Sequence, residues 1–402
     1  MAWTSPPDFR ATTGIGLAAL GLALLFTGDR LRLSSAEPHR LRFVHTYTTE
    51  SERAILRDAI AEFERAHPPI KIDQVVYNSE TYQTIGWRLQ FQGARQSDIF
   101  FTWQGFKVEE AIDHGWALDL AAYLSNEFIE QFVPPAIPHQ HGGIYLLPQS
   151  IDLSNLVWYN QDLFAKHGLR EPNNLSEWLQ LCVQLRKAGL LALGQGNRDL
   201  WPMGNFGAEL MGQTFGAEGL GRLFRGTAPA PVADFQALDA FEFLRRNGCL
   251  DLPGVLEPGG IGALSDIDAK VLFLSGRSAQ HVVGSWFLAD LEDARQKKEL
   301  KFRVGLFPVP AAENEFNAIA AVTTGFQVNR ATRNARAAVD FLELLLSRKY
   351  QRKFAELGNL STIRSPNGCW KFWPTRRSSC RRRTPAIDRN KPRFFMNYAP
   401  NC

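Results

Sequence analysis

Cysteine is scarce in this sequence, and its positions form no recognised site. The 402 residues contain five cysteines, none of them in a C-x-x-C pattern, so metal knuckles and dithiol redox motifs are not expected. Cys182 and Cys249 could pair in a disulfide, but no pattern supports it. The other three cysteines lie beyond residue 364.

The chain also lacks the sequence patterns of common catalytic sites. Gly-x-Ser-x-Gly, His-Glu-x-x-His and Walker-type loops are all missing. His139 and His141 could touch a metal, but without a third nearby ligand a solvated loop is the better interpretation. The sequence therefore predicts no enzyme, no metal and no cofactor. A glycoside hydrolase is the alternative, because two distant carboxylates suffice for that reaction.

Long apolar runs are rare as well, and the clearest one lies near the N-terminus. Residues 14–26 follow the positive charge of Arg10 and are too few for a comfortable transmembrane span. Small residues at 34–36 suit cleavage, so residues 1–36 are predicted to be a signal peptide. The polar residues 28–32 fit that interpretation poorly and leave an uncleaved N-terminal anchor as the alternative.

Positive charge is concentrated at the C-terminal end. The formal net charge is +4, but residues 365–402 contain nine Lys or Arg against the single acid Asp388, so residues 40–364 carry −4. This basic, Pro-broken segment lacks helical periodicity, and we interpret it as a frameshifted or disordered tail; a basic tail for anionic lipid or nucleic acid is the alternative. The main body is not expected to bind nucleic acid.

From residue 41 the sequence alternates between strand and helix patterns. The first strands are predicted at Leu41–His45, Ile70–Val76 and Asp98–Phe101, and Thr49 with Glu52 forms a capping box before the first helix. This order predicts an α/β fold with a mainly parallel sheet and helices on both faces. Further strands are predicted at 142–150, 156–159, 302–307 and 319–328, and helices at 82–94, 108–114, 176–191 (with Ser176 as its cap), 235–245, 268–274, 335–346 and 350–357.

Three of the loops that follow strands combine an aromatic residue with polar neighbours. They are residues 46–48 with Tyr47, residues 77–79 with Tyr77 and Asn78, and residues 102–104 with Trp103 and Gln104. Ligands of such sheets bind beyond the carboxyl ends of the strands. The loops therefore predict a binding site at one sheet edge.

A fourth aromatic, Trp286, lies in the turn that follows a short predicted strand at 280–283. Its neighbours Gly284 and Ser285 are small, and we expect them to leave one face of the ring open to a cleft. Apolar faces of sugars stack on such rings, while their hydroxyls need polar partners. The alternative is a core tryptophan at a strand–helix junction.

The order of these pieces resembles the extracellular solute-binding proteins of ABC importers, in the carbohydrate-binding group related to maltose-binding protein. The matching stretches are Phe63–Ile72, Ser97–Phe100, Leu118–Leu120, Val157–Phe164, Leu175–Trp178, Gly284–Leu291, Phe307–Pro310 and Ala338–Leu342. The resemblance covers residues 41–364 and stops after Arg364.

The resemblance implies a type II periplasmic-binding-protein-like fold, in which two α/β lobes are joined by a hinge with the ligand cleft between them. The implied lobes are 40–147 with 310–358 and 148–309 with 359–364. It also implies a carbohydrate ligand, delivery to the membrane permease subunits of an importer, a periplasmic or extracytoplasmic location and a monomer. A sensor for a membrane receptor is the alternative function, since the same clamp serves both.

The resemblance further implies that aromatic and polar side chains from both lobes hold the sugar. The expected ligand-binding residues are Tyr47, Glu50, Asn78, Trp103 and Gln104 from the first lobe, and Trp201, Asn205 and Trp286 from the second. A role at the helix start is the alternative for Glu50, and a turn for Asn78. Trp158 and Trp178 are expected to be structural.

Overall fold

The computed structural model describes residues 39–92, 96–133, 136–137, 139–224, 236–251, 260–311, 318–364 and 393–396. Its strands are β1 His39–His45, β2 Ile70–Val76, β3 Ile99–Trp103, β4 His139–Gln140, β5 Gly143–Ile144, β6 Leu147–Leu153, β7 Leu156–Asn160, β8 Gln280–Val283, β9 Val304–Pro308, β10 Ala318–Val328, β11 Leu360–Ser361 and β12 Arg393–Met396. Its α-helices are α1 Glu50–Ala66, α2 Ser79–Thr81, α3 Trp87–Leu89, α4 Phe106–Asp113, α5 Asn126–Glu130, α6 Gln161–Lys166, α7 Leu175–Lys187, α8 Trp201–Phe224, α9 Gln236–Arg246, α10 Asp266–Leu274, α11 Phe287–Gln296, α12 Ala335–Leu345 and α13 Arg348–Glu356. The α/β class is confirmed.

The larger sheet has the strand order β11-β6-β10-β3-β1-β2, and β12 pairs with one end of β10. Strand β1 pairs in parallel with β2 and with β3, as the alternating pattern predicts. Strand β10 is antiparallel to both β3 and β6, so this half of the sheet differs from the prediction. Strand β10 joins the larger sheet after the chain has passed through a smaller sheet of β7, β8 and β9, and it returns antiparallel to both of these neighbours.

A second, smaller sheet has the order β8-β7-β9, with both neighbours antiparallel to β7. The chain leaves the larger sheet after Leu153 and enters the smaller one at Leu156. Separate groups of buried apolar residues lie against the two sheets, one around Phe43 and Phe341 and another around Trp178. Trp158 and Trp178 are fully buried, which confirms their structural assignment.

Several helix starts follow from their capping residues. The Thr49 hydroxyl accepts a hydrogen bond from the Glu52 amide at the start of α1, so the capping box is confirmed. Helix α7 starts at Leu175, where Asn174 accepts from the Glu177 amide at 2.8 Å, so the prediction of Ser176 as its cap was wrong. Asn174 takes that place because its backbone is extended while Leu175 is already helical.

The predicted helix at 82–94 is confirmed in part: helical conformation runs from Ser79 to Leu89 as α2, a π-helical turn at Tyr82–Gly86 and α3. Residues 93–94 lie outside the described residues. In the part of the chain that the structure describes, no helix is both long and apolar enough to cross a membrane. The predicted signal peptide or anchor at residues 1–36 lies outside the described residues. So does the tail at 365–402, apart from β12.

Candidate functional site

A cleft of about 480 Å³ is lined by residues that follow the larger sheet's strands and by residues from α8, α10 and α11. Seven of the eight expected site residues line it: Tyr47, Asn78, Trp103, Gln104, Trp201, Asn205 and Trp286. The cleft thus brings together side chains from distant parts of the chain, and only Glu50 lies outside it.

One side of the cleft is formed at the carboxyl ends of three neighbouring strands. Tyr47 follows β1, Asn78 follows β2, and Trp103 is the last residue of β3. These strands are parallel, so their carboxyl ends meet at one edge of the sheet. The amide of Gln104 donates to the Thr323 carbonyl at 2.8 Å, which fixes this loop against β10. Asn78 also caps α2, because its side-chain oxygen accepts from the Thr81 amide.

Tyr47 is held tightly beneath this edge. Its ring packs against Phe101 and Phe354, with ring centroids 5.7 Å and 5.3 Å apart, and only 6% of the residue is exposed. Its hydroxyl has no hydrogen-bond partner among the described residues. Burial, with the nearby charges of Glu52 and Asp152, raises the pKa of Tyr47 well above its ordinary value. Tyr47 therefore presents a neutral hydroxyl with unused hydrogen-bonding capacity.

Two tryptophans of the cleft lining form an aromatic pair. The ring centroids of Trp201 and Trp286 lie 5.9 Å apart at an interplanar angle of 55°, and both residues are half-buried. Trp201 is the first residue of α8, which also carries Asn205 one turn later. The carbonyl of Asn205 accepts a hydrogen bond from the Asn155 side chain at 2.9 Å, which ties α8 to the segment between β6 and β7.

The small residues beside Trp286 have a role different from the one expected. A Cβ atom on Gly284 would lie 2.0 Å from Cζ3 of Trp286, so the ring packs directly over this glycine. Ser285 is buried, and its hydroxyl accepts from the Leu153 amide at 3.2 Å. Gly284 thus makes room for the ring and does not leave that face open, whereas other parts of the ring line the cleft.

Glu50 lies on the surface at the first position of α1. Its carboxylate forms an ion pair with Arg57 at 2.6 Å, and this hydrogen bond and charge lower the pKa of Glu50. Glu52, two residues later, faces inward and lines the cleft instead. The helical pattern held the signal for this: Glu52 lies on the same face as Ile55 and Leu56, which are buried.

Two buried carboxylates were not predicted as site residues. Glu52 is 9% exposed, and its carboxylate accepts from the Thr49 hydroxyl at 2.6 Å. Asp152 is 7% exposed and accepts from the hydroxyls of Ser150 and Thr324 at 2.9 Å and 3.2 Å. Burial raises the pKa of Glu52 to about 7 and that of Asp152 to about 6. Asp152 lies in β6, where all seven residues are buried, so the pattern of the strand does not single it out.

A partly buried lysine also lines the cleft. The Nζ atom of Lys270 on α10 lies 3.4 Å from the carboxylates of both Asp266 and Asp290. Burial alone would lower the pKa of Lys270, but these two carboxylates together raise it above its ordinary value. Glu80, from the opposite side, adds to this effect. The lysine is therefore a fixed positive charge that the surrounding acids outnumber.

Phe106 is an aromatic lining residue that the sequence interpretation also missed. It begins α4, lines the cleft and is 73% exposed. Gly105 before it has φ 109°, a left-handed conformation that favours glycine and turns the chain into the helix. Its position directly after the Trp103–Gln104 loop was the available signal.

The other candidate sites fall outside the cleft. Cys182 and Cys249 are both buried free thiols. His141 lies 3.0 Å from a Glu109 carboxylate oxygen. Within the described ranges, no group of three or more His, Cys, Asp or Glu side chains is arranged to hold a metal ion.

Residues 47–352 match the family model described as bacterial extracellular solute-binding protein. An uncharacterized ABC transporter extracellular-binding protein of Pyrococcus horikoshii is 26% identical over 266 residues, which are 64% of this chain and 57% of that protein. This chain thus spans little more than half the length of that curated relative.

Solved structures share the fold at low sequence identity. A chitin oligosaccharide binding protein has a TM-score of 0.66 and 21% identity, and 80% of this chain covers 81% of it. The maltose/maltodextrin-binding domain of Bdellovibrio bacteriovorus, bound to maltotriose, has a TM-score of 0.60 and 19% identity, with 81% of each chain covered. These likenesses confirm the type II periplasmic-binding-protein-like fold.

Proposed function

Because this chain belongs to the bacterial extracellular solute-binding proteins, we propose that it binds a sugar or oligosaccharide outside the cytoplasm and delivers it to an ABC-type membrane importer. The observation that carries this proposal is the cleft, whose lining combines the paired rings of Trp201 and Trp286 with Tyr47, Asn78 and Gln104. Aromatic rings suit the apolar faces of a sugar, and amides, carboxylates and hydroxyls suit its hydroxyl groups.

The size of the cleft and the relatives' ligands support a saccharide. A volume of about 480 Å³ lies within the ordinary range of small-molecule sites, roughly 300–1,000 Å³. Two structures with this fold bind chitin oligosaccharide and maltotriose according to their descriptions. We propose that the ligand-binding residues are the seven expected residues that line this cleft, together with Glu52, Asp152 and Phe106.

We propose that the protein acts as a clamp. The proposed lobes are 40–147 with 310–358 and 148–309 with 359–364. The smaller sheet and the apolar cluster around Trp178 lie wholly within the second lobe and support it. Strands β6 and β11 of that lobe pair within the larger sheet, and a third apolar cluster with Leu153, Trp158 and Ala321 joins the two sheets. A direct contact crosses between the lobes: the Asp293 carboxylate on α11 accepts from the amides of Glu50 and Ser51 at 2.7 Å and 3.1 Å. Closure over a sugar would exclude water from the tryptophan pair.

A screen of mono- and oligosaccharides by thermal unfolding tests the binding proposal. A ligand at 100 times its Kd should raise the free energy of unfolding by about 2.7 kcal/mol. X-ray scattering with the best ligand should then show a smaller radius of gyration. Failure of every saccharide to raise the melting temperature would contradict the proposal, and binding without compaction would contradict the clamp.

Three further proposals accompany this function. Residues 1–36 serve as a signal peptide or an anchor. N-terminal sequencing of the exported protein tests cleavage, because a cleaved protein should begin near Glu37. The protein is a monomer without catalytic activity, so no reducing sugar should be released from a bound oligosaccharide. Co-purification with permease subunits would support transport, and co-purification with a membrane receptor would support the sensor alternative.

A further inference from the structure

The lining of the cleft carries an excess of negative charge. Five carboxylates line it, those of Glu52, Glu80, Asp152, Asp266 and Asp290, against the two ammonium groups of Lys107 and Lys270. Their formal sum is −3 when every group is ionised. Charges inside a narrow cleft are screened less than charges on an open surface. A bound molecule therefore enters an anionic environment.

Neither lysine pairs with Glu52 or Asp152, which are both buried. Lys270 lies between Asp266 and Asp290, at 3.4 Å from each. Lys107 donates to the Gln83 carbonyl at 3.1 Å and lies 5.4 Å from the centroid of the Trp87 ring. Among the described residues, neither Glu52 nor Asp152 has a Lys, Arg or His partner within ion-pair distance.

Glu52 and Asp152 lie near a cleft hydroxyl that is left unused. Their charges both act on Tyr47, whose hydroxyl finds no partner in the described part of the chain. Among the same described residues, the two carboxylates receive hydrogen bonds from Thr49, Ser150 and Thr324 alone. A buried carboxylate without a cation is costly, so a ligand that brings positive charge gains more here than a neutral one.

We propose that the saccharide bound in this cleft carries a positive charge, as an amino sugar with a free amine does, and that Glu52 and Asp152 receive its ammonium group beside the Tyr47 hydroxyl. This rests on the proposed function, that the ligand is a saccharide. An ammonium donates three hydrogen bonds and offsets the buried charges. A uronate or a sugar phosphate would add negative charge and is disfavoured.

Calorimetry with matched saccharides tests the proposal. The ligands are trimers of glucosamine, of glucose and of glucuronic acid, each with α-1,4 and with β-1,4 linkages. The glucosamine trimer should bind about tenfold or more tightly than the glucose trimer, and the glucuronic acid trimer weakest. Added salt should reduce the difference between the charged and neutral trimers.

Two isosteric variants locate the effect. Glu52→Gln and Asp152→Asn each should remove most of the preference for the amino sugar, while the neutral trimer loses much less affinity. Asp58→Asn is the control, because it removes a carboxylate from the same helix, α1, where the side chain is 61% exposed. Melting temperatures without ligand show whether each variant folds, and either variant alone can carry the test.

The outcomes separate this inference from the proposed function. If glucose trimers bind as tightly as glucosamine trimers, or if neither variant changes the preference, the charge assignment is overturned and saccharide binding stands. If no trimer binds and no saccharide of the wider thermal screen does so either, the proposed function fails and this inference fails with it.

Discussion

Replacement of Glu52 by glutamine should change how the stability of the ligand-free protein depends on pH. The carboxylate is buried at the start of α1, and burial raises its pKa from 4.5 to about 7. Between these values the folded protein keeps a proton that the unfolded chain has released. The free energy of unfolding therefore falls as the pH rises from about 4.5 to 7, and this loss is complete and persists above pH 7.

The magnitude follows from the size of the shift. One pKa unit corresponds to about 1.4 kcal/mol, so this residue contributes a loss of roughly 3 kcal/mol between pH 4.5 and pH 8. Glutamine stays neutral at every pH and can still accept from Thr49 in the capping box. The Glu52→Gln protein should thus lack this loss and gain in stability over the unmodified protein as the pH rises.

Urea unfolding at pH 4.5 and pH 8 measures the effect as a difference between two proteins, which cancels the other titrating groups. Asp58→Asn serves as the control, because it removes an exposed carboxylate, paired with Lys353 at the surface, from the same helix. Parallel pH profiles for Glu52→Gln and the unmodified protein would refute the argument that burial of this carboxylate costs stability.

Three other predictions follow from single contacts. Trp286→Ala should weaken saccharide binding by about 1–3 kcal/mol, roughly tenfold to a hundredfold in Kd. A sharply lower melting temperature of the ligand-free protein, with unchanged affinity for the saccharide, would instead indicate a core role. Gly284→Ala should displace the Trp286 ring, since the added Cβ would lie 2.0 Å from it, and tryptophan fluorescence without ligand should change. Asp293→Ala should destabilise the protein by about 1–2 kcal/mol by removing the acceptor for the Glu50 and Ser51 amides, and faster amide exchange at the start of α1 should accompany the loss.

Local sequence patterns determined a large part of the fold. The Thr49–Glu52 capping box and the apolar strands β1 to β3 were predictable because each pattern depends on neighbours only a few residues away. The parallel arrangement of those strands then placed Tyr47, Asn78 and Trp103 at one edge. The antiparallel place of β10 was not predictable in this way, because it depends on a return from the second sheet.

The sequence by itself determined which loops meet at the cleft, because strand direction fixes where each loop emerges. The helical period of α1 already places Glu52 on the same face as Ile55 and Leu56. Only the tertiary structure decided that this end of the face lines the cleft, and that Asp152 lies beside Thr324, 172 residues further along the chain. The physical reason is that burial and charge depend on atoms brought together by packing, and these contacts leave no periodic trace in the sequence.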